Sequence, residues 1–439
     1  AAQATLRAIG NECDIDMESN CYIGSLEQLV KDGKVSEKEI DRSVRRILRL
    51  KFELGLFDDP YRYCDEGREA ELILSADHRS TARDMARKSV VLLENRESVL
   101  PLSPDVRSVA VIGPLADSRK DMIAEWKARG EAGDAVTILM GIKNAVGPNT
   151  RVAYSKGCEV TGEDRSGFAA AVYAARSADV VVMCLGESAD MSSEGYCRTQ
   201  LGLPGVQQEL LKAVKDTGKP IVLLLSSGRP LVLRWEKENI SSILQTWFLG
   251  TEAGNAIADV VFGKYNPSGK LVMSFPYNEG QIPVYYNHKN TGRPFVEGQR
   301  YVSHYIDAPN EPLYPFGYGL SYTNFAYVGI RLSAAEMDSS GGITASVTVT
   351  NTGGYDGEEV VQLYIRDLKA RITRPVKELK GFKKISLKKG ESADVAFGIS
   401  IADLKYTLAD GSAVWDSGDF ELFIGGSSAD VKSAAFRLK

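Results

Sequence analysis

The chain of 439 residues carries a formal net charge of −5, and its length suggests about three domains. Because no surplus of basic residues is available to meet phosphates, the composition argues against a nucleic-acid partner, and no apolar run approaches the roughly 18 residues of a membrane span. Hydrophobic residues make up 44% of the chain, which is enough for sizeable cores. The six cysteines are scattered without a CxxC motif and there are only three histidines, which argues against a metal site. No cofactor is expected.

Residues 1–63 are predicted to be mainly helical. AAQATLRAI is typical of a helix, DIDM alternates like a short strand, and the stretch 22–57 contains two further helices. Ser36 and Glu39 form a capping box for the last of these helices, whose apolar residues fall on one stripe. The segment is too small to bury its own apolar faces, so we expect it to belong to a larger unit that is mostly absent.

After a predicted linker at 64–77, residues 78–276 alternate strands and helices. The candidate strands are VVLLEN, SVAVIG, VTILMG, RVAYSKG, VVVMCLG, IVLLLSSG and SSILQTWFLG, followed by KLVMSF after a turn. Helical patterns such as GFAAAVYAARSA and GVQQELLKAVKDTG lie between them. This repetition predicts a mostly parallel sheet covered by helices on both faces.

A connector at 277–315, rich in Pro, Gly and Asn, leads into residues 316–439. There the strands alternate polar and apolar residues at period two, as in ITASVTVTN, EEVVQLYIRD, ESADVAFGIS and GDFELFIGG. The turn sequences NTGGYDG, KKGE and ADGS separate them. The pattern predicts an antiparallel β-sandwich.

The loop that follows VVVMCLG is the candidate functional site. Gly186 ends the apolar run, and Glu187, Asp190 and Glu194 come directly after it. Ligands of open α/β sheets gather at the carboxyl ends of strands, where a flexible acidic loop is a natural place for a proton-transfer carboxylate. Taken by itself, the stretch is equally explained as a solvated acidic loop.

Two other chemistries find little support. GPLADS is no dinucleotide fingerprint, and GKYNPSGKL has five residues between its glycines and Leu271 where a P-loop has Ser or Thr. GxSxG is absent, so a Ser-His-Asp triad has no motif behind it. Carboxylate chemistry remains, and two carboxylates that flank a glycosidic bond suffice to transfer a sugar to water.

Six stretches, in the correct order, resemble the C-terminal two-thirds of glycoside hydrolase family 3, of the β-glucosidase/β-xylosidase type. They include ARKSVVLLENRESVLPL, SVAVIGPLADSRKDMIAEW, SSEGYCR with LGLPGVQQELL, GNAIADVVFGKYNPSGKLVMSFP and YPFGYGLSYTNFAY with VTVTNTGGYDGEEVVQLYIRD. The resemblance implies an α/β plus β fold. Residues 1–63 would be a helical remnant of a (β/α)8 barrel, 78–276 an α/β sandwich carrying the acid/base loop, and 316–439 a fibronectin-III-like β-sandwich.

The family is retaining, with an aspartate nucleophile on the barrel and a glutamate acid/base lent by the second domain. Mapped onto SSEGYCR, the resemblance makes Glu194 the general acid/base, with Glu187 as the alternative in the same loop. Trp126 falls where family members carry an aromatic platform for the aglycone sugar, although packing explains a lone Trp equally well. Arg198 is a candidate to bind a sugar hydroxyl or to orient Glu194, although a surface salt bridge explains this residue at least as well.

The family's SDW nucleophile motif is absent, because none of the four Trp residues follows an Asp. We therefore expect the parent protein to be a retaining, exo-acting β-glycosidase, foremost a β-glucosidase acting on terminal β-linked sugars of glucosides or oligosaccharides. This chain would supply the acid/base, lack the barrel segment and be nearly inactive alone. The resemblance also implies a periplasmic or secreted enzyme, with a homodimer as one assembly. The competing hypothesis is a non-catalytic carbohydrate-binding or interaction module.

Overall fold

The computed structural model describes residues 1–439, which divide into two compact units, 1–78 and 79–439. The helices of the first unit are α1 (Ala2–Gly10), α2 (Cys21–Lys31), α3 (Glu37–Glu53) and α4 (Glu66–Leu72). Ile9, Leu29 and Val35 form their small apolar core. The capping box of α3 is confirmed, because the Ser36 side chain accepts from the Glu39 backbone N–H and the Glu39 side chain accepts from that of Ser36.

The DIDM stretch, predicted as a strand, pairs with no other strand in the structure. Asp14 instead accepts hydrogen bonds from Ser43 and Arg46 of α3, and these bonds, foremost the one from Arg46, lower the pKa of Asp14 to about 2. Asp16 accepts from the backbone N–H of Tyr22 in α2. The strand prediction was wrong because no strand lies beside this segment, and groups of α2 and α3 instead hold its two aspartate side chains.

The second unit contains a six-stranded sheet of order β1-β6-β5-β4-β2-β3. Its strands are β1 (Val91–Asn95), β2 (Ser108–Ile112), β3 (Arg151–Ser155), β4 (Val180–Gly186), β5 (Ile221–Ser226) and β6 (Ser242–Gln245). All neighbours run parallel except β1 and β6, so the mostly parallel sheet is confirmed. β4, β5 and β6 are buried along their whole length, as strands covered on both faces should be.

Helices cover both faces of this sheet. They are α5 (Ala76–Ser89), α6 (Arg119–Ile123), α7 (Ile138–Ala145), α8 (Phe168–Arg176), α9 (Gln207–Lys215), α10 (Arg234–Asn239) and α11 (Ala253–Val261). Alternate residues of β4 enter two separate apolar cores. Met183 and Leu185 pack in the core that contains residues of α8 and α9, whereas Val182 and Cys184 pack in the core that contains residues of α7 and α11. The α/β sandwich is therefore confirmed.

Two of the predicted strands in this region were wrong. VTILMG begins helix α7, because the Thr137 side chain caps the helix by accepting from the Met140 backbone N–H. Gly141 then allows the helix to approach α11 closely, since a Cβ there would lie 2.0 Å from the Gly254 carbonyl oxygen. KLVMSF joins no sheet and forms only one isolated bridge, between Phe275 and Tyr314.

Toward the C-terminus the second unit contains a β-sandwich of two sheets, ordered β11-β10-β15-β16-β8 and β12-β9-β7, and a separate two-stranded sheet of β13 and β14. Its elements are β7 (Phe325–Leu332), β8 (Glu336–Met337), β9 (Gly342–Asn351), β10 (Gly357–Asp367), β11 (Glu378–Leu387), β12 (Ser392–Ser400), α12 (Ile401–Leu404), β13 (Tyr406–Thr407), β14 (Ala413–Val414), β15 (Gly418–Gly425) and β16 (Val431–Leu438). All pairs within the two sheets are antiparallel except β16 with β8. The four predicted strands are confirmed as β9, β10, β12 and β15, whereas β7, β8, β11, β13, β14 and β16 were not predicted.

A buried ion pair joins the α/β sandwich to the β-sandwich. Lys270 Nζ lies 3.1 Å from Glu359 Oε1 and also donates to the Gly319 carbonyl oxygen at 2.8 Å. The Tyr327 hydroxyl donates to Glu359 Oε1 at 3.1 Å. Burial raises the pKa of Glu359, which Lys270 opposes. The lysine that looked like part of a P-loop thus holds two layers of the fold together. Nowhere does the structure contain a helix of the length and apolarity that a bilayer crossing demands.

Candidate active site

The candidate site lies at the carboxyl edge of the parallel sheet, where β4 ends. Gly186 has a φ of +137°, and a Cβ there would lie 1.9 Å from the Ser226 carbonyl oxygen at the end of β5. Gln207, at the start of α9, accepts from the Gly186 backbone N–H and donates to its carbonyl oxygen, both at 2.8 Å. These contacts fix where the acid/base loop, defined as residues 187–206, leaves the sheet.

Glu187, the first residue of the acid/base loop, is fully buried. Its Oε1 lies 2.6 Å from Arg198 Nη1, and Arg229 Nε lies 3.0 Å from Oε1 and 3.2 Å from Oε2. Two guanidinium groups therefore enclose the carboxylate. A carboxyl group without exposed surface cannot reach a glycosidic oxygen, so this geometry favours Glu194 over Glu187 as the proton-transfer residue.

Arg198 lies beside Glu187 rather than beside Glu194. Its Nη1 donates to Glu187, its Nη2 donates to the Gly202 carbonyl oxygen at 3.0 Å, and its side chain is only 15% exposed. Both observed bonds fix the acid/base loop. Arg198 therefore stabilises the conformation of the acid/base loop, and its side chain forms no hydrogen bond with Glu194.

Arg229 belongs to this site but was not predicted from the sequence. It follows β5, and besides Glu187 it donates to the backbone carbonyl oxygens of Met191 and Tyr196, the latter at 3.2 Å. The available signal was its position after the strand IVLLLS, because the carboxyl ends of neighbouring parallel strands meet at one edge. Which strands are neighbours was not evident from the sequence, so the signal could not be used.

Glu194 and Trp126 line the same cavity, which has a volume of about 830 Å³. The other lining residues are Ile123, Ala124, Ser192, Ser193, Gly228, Phe248, Leu249 and Gly250. Glu194 is exposed and has no hydrogen-bond or ion-pair partner, and the Trp126 side chain is 75% exposed. We call this space the Glu194 cavity. It combines a free carboxyl group with a mainly apolar wall, an arrangement suited to an amphipathic ligand such as a sugar.

Two side chains, those of Asp121 and Lys120, connect the segment that carries Trp126 to the acid/base loop. Asp121 accepts from the Ala189 backbone N–H at 2.7 Å, and Lys120 Nζ lies 2.8 Å from Asp190 Oδ1. The bond to Asp190 raises the pKa of Lys120. Both sides of the Glu194 cavity are thus positioned by the same loop. No three His, Cys, Asp or Glu side chains converge in a way that could hold a metal ion.

Comparison with known families identifies both parts of the second unit. The family described as "Glycosyl hydrolase family 3 C-terminal domain" matches residues 90–322, and a fibronectin type III-like domain matches residues 359–428. The first match covers the six-stranded sheet, the acid/base loop and the Glu194 cavity, and the second lies within the β-sandwich.

Individual relatives match along nearly the whole chain. A periplasmic β-glucosidase of Salmonella typhimurium is 46% identical over 97% of this chain and 59% of its own length, and a β-xylosidase of Formosa agariphila is 40% identical over 92% and 56%. The crystal structure of a Listeria innocua β-glucosidase in complex with isofagomine superposes with a TM-score of 0.92 at 39% identity, covering 100% of this chain and 61% of that one. The chain thus spans about three-fifths of the length of these relatives.

Proposed function

The chain belongs to glycosyl hydrolase family 3, and from this premise we propose that it supplies the acid/base half of a retaining, exo-acting β-glycosidase, with Glu194 as the general acid/base. The observation that carries the proposal is the state of Glu194, an exposed and unpaired carboxyl group in the cavity that it shares with Trp126. Glu187, by contrast, is enclosed by two arginines.

Glu194 acts in both steps of the proposed mechanism. As the glycosidic C–O bond breaks, its carboxylic acid gives a proton to the leaving oxygen while positive charge develops at the anomeric carbon. An aspartate from the barrel, outside these 439 residues, forms the covalent glycosyl intermediate. Glu194, now a carboxylate, then takes a proton from the water that hydrolyses this intermediate, which requires the two carboxyl groups to lie about 5–5.5 Å apart.

Trp126 is the proposed platform for the aglycone. Its exposed side chain forms part of the wall of the Glu194 cavity, and aromatic faces stack on the apolar faces of sugar rings. Arg198 acts by holding Glu187, so its proposed contribution to substrate binding is indirect. A terminal β-linked glucose is the proposed substrate unit, since the Salmonella and Listeria relatives are both named β-glucosidases.

Residues 1–63 are proposed to be the end of the family's (β/α)8 barrel, and 78–276 and 316–439 to be the domains that follow it. Val44, Leu48 and Phe52 on α3 remain exposed, which supports a larger unit around this segment. Without the nucleophile the 439-residue chain lacks the covalent route, so it is inactive or nearly so alone. The relative named as periplasmic supports a periplasmic or secreted location.

A hybrid enzyme tests the proposal. This chain replaces the matching part of the Salmonella typhimurium β-glucosidase, and kcat/KM, which reports the step that forms the covalent intermediate, is measured on an alkyl β-glucoside and on 2,4-dinitrophenyl β-glucoside. Glu194→Gln should lower kcat/KM on the alkyl substrate by about 10²–10⁴-fold and affect kcat/KM on the activated one far less, because in this first step only a poor leaving group needs the acid.

The matched control is Glu163→Gln, the same change at an exposed glutamate outside the Glu194 cavity, which should alter neither rate. Equal effects of Glu194→Gln on both substrates would reject Glu194 as the acid. A non-catalytic module would give a hybrid without activity on either substrate. Turnover by the 439-residue chain alone at rates normal for an enzyme would reject the half-site proposal.

A further inference from the structure

The acid/base loop has little regular structure, yet Glu194 must be placed to within a fraction of an ångström to transfer a proton. Between Glu187 and Val206 the loop contains only a single short helical turn, at Ala189–Met191. The Glu194 side chain has no partner of its own that could hold it. Its position must therefore be set through the backbone on either side of it.

Arg229 makes contacts of this kind. It donates to the carbonyl oxygen of Met191 before Glu194 and to that of Tyr196 after it, so one guanidinium spans the segment that carries the acid/base. The guanidinium is itself held by the buried Glu187 carboxylate. A planar group with five donors can make all these bonds at once, which a lysine ammonium cannot do with the same geometry.

Gly228, directly before Arg229, lets the loop approach. A Cβ at this position would lie 1.9 Å from Ser192 Oγ and 2.8 Å from Ser192 Cβ. Any larger residue would push Ser192, and with it the neighbouring Glu194 segment, away from the end of β5. Gly228 and Arg229, which follow β5, thus hold in place a loop that has little regular structure of its own.

Resting on the proposed function, we propose that Gly228 and Arg229 are positioning residues for the general acid/base: Arg229 fixes the backbone around Glu194 through the carbonyl oxygens of Met191 and Tyr196, and Gly228 admits Ser192. Neither touches the reacting atoms. Their contribution is the placement of Glu194 against the glycosidic oxygen, where an error of about 1 Å can cost about 100-fold in rate.

The first test uses the 439-residue chain. Arg229→Lys keeps a cation beside Glu187 but loses the span across the loop. Hydrogen exchange measured by mass spectrometry should become about tenfold faster in residues 188–203 and stay unchanged in β4 and β5. The matched control is Arg83→Lys, which breaks the bidentate pair of Arg83 with the buried Asp259 in the same α/β sandwich without touching the loop. Unchanged exchange in 188–203 would overturn the proposal.

The second test uses the hybrid and separates positioning from general weakening of the structure. Arg229→Lys should lower kcat/KM on the alkyl β-glucoside by about 100-fold and leave kcat/KM on the dinitrophenyl substrate much less affected, whereas a merely structural role would lower both equally. Arg83→Lys should show no such dependence on the leaving group. If Arg229→Lys unfolds, Gly228→Ala displaces Ser192 with the arginine in place and should give the same selective loss.

The two possible failures are distinguishable. Suppose that Glu194→Gln shows the leaving-group dependence, but Arg229→Lys and Gly228→Ala each lower the rates on the two substrates equally. The positioning role is then wrong and the proposed function stands. If Glu194→Gln itself shows no such dependence, the proposed function fails and the positioning role fails with it.

Discussion

Glu187 and Arg198 form an ion pair of 2.6 Å at the base of the acid/base loop, and the Glu187 side chain has no exposed surface. Glu194 in the same loop is exposed and unpaired. Two glutamates of one acidic loop therefore have opposite surroundings, and this difference supports the proposal that Glu194, rather than Glu187, is the general acid/base.

Removing the charge of Glu187 should destabilise the α/β sandwich. Glu187→Gln leaves Arg198 and Arg229 without their shared carboxylate, and breaking a buried ion pair by removing one partner costs about 3–5 kcal/mol. Chemical denaturation of the 439-residue chain measures the loss. Glu163→Gln, at an exposed glutamate, should change stability by less than about 0.5 kcal/mol. Equal effects of the two substitutions would show that the Glu187 cluster contributes little.

Truncating Trp126 should weaken substrate binding without affecting the fold. In the hybrid, Trp126→Ala is expected to raise KM for a disaccharide by about tenfold, or about 1.4 kcal/mol, because a stacking surface for the aglycone is lost. Tyr173→Ala is the matched control, since Tyr173 is also 75% exposed but lies outside the Glu194 cavity. An unchanged KM would remove Trp126 from the proposed site.

Glu236 should make the stability of the chain depend on pH. Burial raises the pKa of this carboxyl above 4.5, and its Oε2 has no hydrogen-bond partner. A raised folded-state pKa gives a contribution to stability that is complete below about 4.5 and is lost as the pH rises through the folded value. The midpoint temperature of thermal unfolding should therefore decrease less in Glu236→Gln than in the unchanged chain as the pH rises from acidic to mildly alkaline. An identical pH profile in the variant would contradict this expectation.

Removing Lys270 should loosen the junction between the α/β sandwich and the β-sandwich. Lys270→Met leaves Glu359 buried without its cation, at a cost of about 3–5 kcal/mol. Lowering the pH should recover part of that loss, because burial favours the neutral form of Glu359 and its pKa is already raised. Thermal unfolding of the variant at pH 5 and pH 8 tests both statements. A loss of equal size at the two values would mean that Glu359 does not titrate in this range.

The sequence was most informative where a pattern and a local signal agreed. The continuous apolar run of β4 and the period-two alternation of β9 both predicted their elements, and Ser36 with Glu39 predicted the start of α3. VTILMG failed because a short apolar run fits a strand and a buried helix equally well, and only the cap at Thr137 decides between them.

The candidate site was predicted in part for a similar reason. The order of family-like stretches led to Glu194 and Trp126, which the structure brings to one cavity, but no local pattern separates the buried Glu187 from the exposed Glu194. The role of Arg229 depends on β4 and β5 lying side by side, which is a tertiary fact. For Arg198 the sequence left a sugar hydroxyl, Glu194 and a surface salt bridge open as partners, and the structure pairs it with the buried Glu187 of the same loop.

The antiparallel pairing of β1 with β6 constrains the order in which the nascent domain folds. Val91 of β1 pairs with Gln245 of β6. The first strand of the sheet to be synthesised therefore has no hydrogen-bonded neighbour in the sheet until the last strand has been synthesised. At typical synthesis rates the intervening roughly 150 residues take about 8–30 s. During that time the apolar run at β1 has no neighbour in the sheet, and such non-local pairing slows folding. We therefore expect β1 to join the sheet only after β6 has been synthesised.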